Sequence, residues 1–278
     1  MFEHDNMNTT ETVSYGSFLT PNSGNLRLRP AMRMRNGFTL VEVVLTVVII
    51  GILATVALRT GGAVYTTAKV ENTKQELDAL ANAIVGNPEL ENNGVRSDFG
   101  YVGDIGSMPP NLDALVSNPG GYSTWKGPYV QRRFSQMVDD HKKDAWNTDY
   151  EYSAGVTIKS VGDPAPGGDI IRHLAASTSA LLLNNFSGII YDADGTPPGS
   201  NYSDSLVVLL IVPDGSGSTT TRSVVPDAGG YFGFDLVPIG NHDLRIVYLP
   251  GADTAKRFIS IAPNGSAYLE YRLASDLW

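Results

Sequence analysis

The sequence predicts an α+β protein: a long N-terminal α-helix, transmembrane and then amphipathic, a small β head, and a separate C-terminal all-β sandwich. Three observations carry this. Phe38 to Leu58 form an apolar run of 21 residues in which Glu42 is the only charge. The stretch after it repeats apolar residues at helical spacing. From residue 186 onward, short β-type runs alternate with turns rich in Gly, Pro, Asp and Asn.

The apolar run comes first in the chain. At about 1.5 Å rise per residue it spans about 30 Å, the thickness of the hydrocarbon layer. Residues 1–26 before it are polar and without period, a disordered composition. "RLRPAMRMR" then sets Arg27, Arg29, Arg33 and Arg35 just ahead of the run. A basic flank keeps that end in the cytoplasm and sends the downstream chain across the membrane. Two ordinary readings compete: a cleaved secretory signal, with "ATVALRTGGA" as its small-residue site, and a plain signal-anchor. Neither explains Glu42. A carboxylate in a span costs about 2.5–3.5 kcal/mol at the centre and less near an end, and usually marks function. Reaching for the interface is the alternative that leaves it without a role.

"RNG" followed by "FTLVE" and the Val/Ile/Leu run resembles the N-terminal signal of type IV prepilins and pseudopilins over about 25 residues. The resemblance implies that residues 1–37 are a cytoplasmic leader, longer than is usual in that family. It implies a prepilin peptidase cut between Gly37 and Phe38 and N-methylation of Phe38. Glu42, with Thr39 beside it, then acts in assembly, the carboxylate facing the new amino terminus of a neighbouring subunit. An ammonium and a carboxylate attract strongly in low dielectric, and each is costly alone. Residues 38–62 become the transmembrane and filament-core helix. Gly51 weakens the helix locally, and Gly61 and Gly62 stand near Arg59, where many relatives bend at a proline.

Residues 63–172 read as a second helix and a small pilin-like β head. Val70, Leu77, Leu80 and Ile84 form one helical stripe, and Gly86-Asn87-Pro88 stops it. Asn111 is placed to cap a short helix with Leu112, Leu115 and Val116. Asp98-Phe99-Gly100 echoes a kinase motif without that motif's companions. "LDALV" (112–116), "WKGPYV" (125–130) and "DAWNTDYEY" (144–152) resemble the head of the major pseudopilin of type II secretion systems, where the last segment is a strand. Ala145 and Asn147 depart from that family's proline and glycine. The aromatic residues are expected to pack the head. That family binds a structural calcium after the strand. The corresponding loop, "SVGDPAPGGD", offers Asp163 and Asp169, against the alternative of a solvated turn.

Residues 173–185 are expected as a linker, and 186–278 as the sandwich. Its seven runs are "SGIIYDA", "SLVVLLIVP", "TTTRSVVP", "GYFGFDLV", "HDLRIVYLP", "KRFISIAP" and "AYLEYRL". "DADGTPPG" and "GYFGFDLVPIGNHDL" resemble carboxypeptidase-regulatory-like, transthyretin-like domains, usually spacers or binding modules. His242 is expected as a surface feature of its strand and not as a ligand. Asp192 and Asp194 open like an EF-hand loop, but position 12 is Ser203 instead of Glu, so a β-turn is expected.

Bulk properties narrow the function. The chain has 278 residues, no cysteine and a net charge of −9. Absence of cysteine excludes disulfides, thiolate metal sites and cysteine nucleophiles. An acidic chain is a poor prior for nucleic-acid partners. The histidines at 4, 141, 173 and 242 form no metal-binding pair, and no catalytic spacing stands out, so an enzyme is not expected. The expected function is a structural subunit of a type IV pilus-like or type II secretion pseudopilus-like filament. Its expected partners are identical or related pilin subunits, prepilin peptidase and an inner-membrane assembly platform. No cofactor is expected beyond the calcium. The expected location is the bacterial inner membrane as a precursor with a cytoplasmic N-terminus, then a cell-surface, extracellular or periplasmic filament. The alternative is a membrane-anchored, non-polymerising surface protein whose sandwich binds a glycan or protein partner.

Overall fold

The computed structural model describes residues 37–130, 139–162 and 168–278. The chain divides into two compact units, one ending at Thr55 and one spanning Val56–Trp278. Helix α1 (Leu40–Val85, 46 residues) begins in the first. It is continuous through Gly51, Gly61 and Gly62 in this single subunit. The window Leu40–Ala57 is long and apolar enough to cross a membrane, and none of it is buried. The later part behaves differently. Leu77, Leu80 and Ile84 of the predicted stripe are buried and Val70 is half-buried. Burial of each such side chain stabilises by about 1.5–3 kcal/mol.

The helix stops at Gly86, which has φ +81° and donates its N–H to the Asn82 carbonyl at 2.8 Å. The Arg96 guanidinium closes this end by donating to the carbonyls of Val85 and Gly86. Arg96 comes from the hairpin of β1 (Glu91–Asn92) and β2 (Val95–Arg96). Its turn is Asn93-Gly94, both at positive φ, the pairing such two-residue turns require.

The head continues with α2 (Gly100–Ile105) and a 3₁₀ turn at Leu112–Leu115. Asn111 caps that turn, accepting from the Ala114 N–H at 3.2 Å. The Trp125 indole donates to the Ala114 carbonyl at 2.9 Å and meets Tyr129 edge-on at 5.7 Å. The expected strand over 144–152 is instead a tight turn with isolated bridges, Lys143 to Asp149 and Glu151 to Lys159. Asp144 is buried and organises it. Its Oδ1 accepts from the Trp146 and Thr148 N–H groups at 2.9 Å, and its Oδ2 accepts from Ser160 at 2.6 Å. Asn147 sits at φ +65°, a conformation that Asn tolerates and most residues avoid. Strands β3 (Thr157–Ser160) and β4 (Ile170–His173) pair antiparallel. Within 173–185, α3 (Thr178–Leu182) buries Ala180 and Leu181.

The C-terminal region is largely β, with two main sheets. Its elements are β5 (Asn184–Tyr191), α4 (Gly199–Tyr202), β6 (Leu206–Pro213), β7 (Thr219–Val224), β8 (Tyr231–Val237), β9 (Gly240–Tyr248), β10 (Asp253–Ile261) and β11 (Ser266–Arg272). One sheet has order β10-β9-β6-β7, the other β11-β5-β8, with β11 parallel to β5. Each of the seven predicted runs overlaps one strand. Period-two alternation sends Leu206, Val208, Leu210 and Val212 inward to meet Phe186, Ile190, Phe232 and Phe234 in one core.

This core adjoins the head's own. Leu181 and Ile239 pack into the head cluster. Backbone hydrogen bonds join the two parts: Gly215 N–H to Ile105 O at 2.8 Å, Ile239 N–H to Leu181 O at 2.8 Å, and Ser123 N–H to Gly217 O at 2.8 Å. His242 corrects its expectation. It is 2% exposed, and its Nε2 lies 2.8 Å from the Pro238 carbonyl. It shares its strand face with Leu244 and Ile246, so the pleat carries it inside. Burial lowers its pKa below the usual 6.5, only partly offset by the bond to Pro238.

Candidate processing and assembly site

Gly37, Phe38 and Thr39 precede the helix. Thr39 caps it: Oγ1 accepts the Glu42 N–H at 3.3 Å and the carbonyl accepts the Val43 N–H at 3.1 Å. Thr39 and Glu42 have capping-box spacing, threonine at the cap and glutamate three residues on. Glu42 therefore lies in the first turn, where the helix dipole favours a carboxylate. It is exposed, as is Phe38 at 77%. Polar side chains further along the run are satisfied locally. Thr46 Oγ1 donates to the Val43 carbonyl at 2.8 Å, and Thr55 Oγ1 donates to the Gly51 carbonyl at 2.9 Å. Their hydroxyls place no unmet donor in an apolar medium. A carboxylate at the head of an otherwise apolar, exposed surface is chemically suited to hold one cation in low dielectric.

A side chain at Gly51 would meet nothing within 4 Å, so no contact inside the subunit calls for glycine there. Of the calcium pair, Asp163 lies outside the described residues, and Asp169 pairs with Lys159 at 2.9 Å. Asp98-Phe99-Gly100 has a structural part that sequence reasoning missed. Asp98 accepts the Asn87 N–H at 2.7 Å and the Gly100 N–H at 3.1 Å. Gly100, at φ +54°, brings its backbone against the helix end, where a Cβ would lie 2.6 Å from the Ala83 carbonyl and the Gly86 nitrogen. The glycine after a turn-forming Asp was the available signal.

Residues 32–58 match the family model described as the prokaryotic N-terminal methylation motif. The chain is also 33% identical over 104 residues to the type II secretion system core protein G of Xanthomonas campestris pv. campestris. That match covers 37% of this chain and 62% of the relative. The N-terminal part is pseudopilin-like. The motif and the apolar helix fit a membrane-anchored precursor. Among solved structures, the dioxygenase domain of a dioxygenase–carbohydrate-binding fusion from Streptomyces sp. SirexAA-E is similar at 9% identity. It covers 37% of this chain and 86% of that one, with a TM-score of 0.25, too low to carry an argument.

Proposed function

We propose that the chain is a structural subunit of an extracellular filament of the type IV pilus or type II secretion pseudopilus kind. The observation that carries this is the wholly exposed apolar window Leu40–Ala57 with its one carboxylate, preceded by Gly37-Phe38. In a bilayer the apolar surface is solvated by lipid, and in a filament it is covered by sister helices. Prepilin peptidase cuts between Gly37 and Phe38, and the new amino group of Phe38 is methylated. That amino group on one subunit neutralises Glu42 on the next, an exchange that favours each incoming copy. The β region resembles a spacer or binding module and decorates the filament surface. Its size favours a surface filament over a secretion pseudopilus confined within a channel.

Mass spectrometry of the chain from cells that carry prepilin peptidase tests this. The expected species starts at N-methyl-Phe38. An uncut chain in such cells overturns the proposal. Glu42→Val is expected to abolish shearable polymer. A processed chain that stays in the membrane fraction and never shears off as polymer supports the anchored, non-polymerising reading instead.

A further inference from the structure

The turn after β5 brings together three carboxylates from distant parts of the chain. Asp192 and Asp194 belong to the turn. Asp276 comes from the segment after β11, more than 80 positions later in the sequence. One oxygen of each lies within 4.8 Å of the others. The segment is held on both sides of Asp276. The Leu273 N–H donates to the Tyr191 carbonyl at 2.8 Å, and the Ser275 carbonyl accepts from the Ala193 N–H at 3.3 Å. The Trp278 indole donates to the Thr196 carbonyl at 3.2 Å, and its ring lies on Tyr202 with centroids 6.4 Å apart.

Hydrogen bonding inside the turn leaves one group unexplained. Asp192 Oδ1 accepts from the Thr196 N–H at 3.1 Å and the Thr196 hydroxyl at 3.2 Å. Asp192 Oδ2 has no hydrogen-bond partner, although the residue is 0% exposed. An enclosed, unpartnered carboxylate oxygen is costly. Two further carboxylates beside it raise that cost. The Arg272 guanidinium lies next to Gly195, but no lysine or arginine among the described residues forms an ion pair with any of the three.

We propose that Asp192, Asp194 and Asp276 bind one divalent cation of the calcium class, and that the ion pins the segment after β11 to the β5 turn. The donors are all hard oxygens, which suit calcium over softer, nitrogen- or sulfur-seeking metals. Asp194 and Asp276 are exposed, so water completes the shell. The third carboxylate that an EF-hand takes from its own loop here comes from a distant segment. A surface site with three carboxylates belongs with the weaker extracellular calcium sites, with Kd on the order of 0.1–1 mM. This site does not depend on filament formation.

The test titrates the full chain in detergent micelles with CaCl2 after treatment with chelator, and reads binding heat and melting temperature. Asp276→Asn, Asp192→Asn and Asp169→Asn are measured in parallel. The wild type is expected to bind and to melt at a higher temperature with calcium. Asp276→Asn, a mild change at an exposed position, is expected to weaken binding at least about tenfold. Asp192→Asn is expected to do the same, and Asp169→Asn to bind as the wild type does. Absence of heat and melting shift in the wild type overturns the proposal. So does undiminished binding in Asp276→Asn and Asp192→Asn, or binding lost only in Asp169→Asn.

Discussion

The two halves of α1 use similar residues to opposite ends. Val47, Ile50 and Leu53 are 63%, 64% and 62% exposed, whereas Leu77, Leu80 and Ile84 are 1%, 3% and 0% exposed. The difference lies in pattern. Apolar residues surround the first half on every side and leave no polar face. The second half confines them to one stripe and sets Glu71, Lys74 and Asp78 on others. A helix apolar all round needs lipid or several partner helices, whereas a striped helix needs one core. The chain supplies that core for the second half only.

The largest expected effect breaks this symmetry directly. Ile84→Ala should cost the head about 2–5 kcal/mol, measured by thermal or denaturant unfolding in detergent. Ile50→Ala should change the same measurement by less than about 0.5 kcal/mol and should instead lower the yield of sheared polymer. Equal losses from the two would remove the distinction. The next effect concerns how the packed half ends. Arg96→Ala leaves the Val85 and Gly86 carbonyls without their donor, and should cost about 1.5–3 kcal/mol, read as faster hydrogen exchange in the last helical turn.

A third, pH-dependent effect asks how far the packed region reaches. The neutral form of His242 is favoured in the folded protein, so its contribution is intact above its unfolded pKa near 6.5. It is lost as pH falls below 6.5 towards the lowered folded value. Asp113, held low by Lys142 and His141 against its burial, and Asp214, held low by the Ser216 and Ser218 N–H groups, lose their contributions only as pH falls below their usual 3.8. Melting temperature should therefore begin to decline as pH falls below about 6.5, and His242→Leu should flatten that decline. An unchanged slope in the variant would assign the decline elsewhere. The smallest effect is at the exposed start. Thr39→Ala should cost about 1 kcal/mol of local helix stability, visible as increased exchange at Glu42 and Val43 with no change in the head.

Much of the fold was legible because it depends on local period. The 21-residue apolar run, the stripe at 77, 80 and 84, and the seven β runs each announce themselves within a short window. The features that were not legible depend on geometry between windows. The segment 144–152 carries strand-like aromatics, but buried Asp144 gathers three donors and folds it into a turn. His242 was misplaced because its chemistry was weighed above its register with Leu244 and Ile246. Asp276 could not be joined to Asp192 by any spacing rule, since only the parallel pairing of β11 with β5 sets them side by side. Thr39 and Glu42, by contrast, were visible as a motif, and their capping arrangement comes from a separation of three residues.

The backbone hydrogen bonds between the head and the β region have a mechanical consequence. Gly215, Ile239 and Ser123 bind across that seam through main-chain groups, and Ile239 fills part of the head's core from the far side. No slack tether lies between the two. Torque applied to the packed half of α1 is delivered to the outer sheets as rotation, with little lost in a joint. If the chain polymerises as proposed, the β regions move with the packed half of α1 and do not swing independently of it.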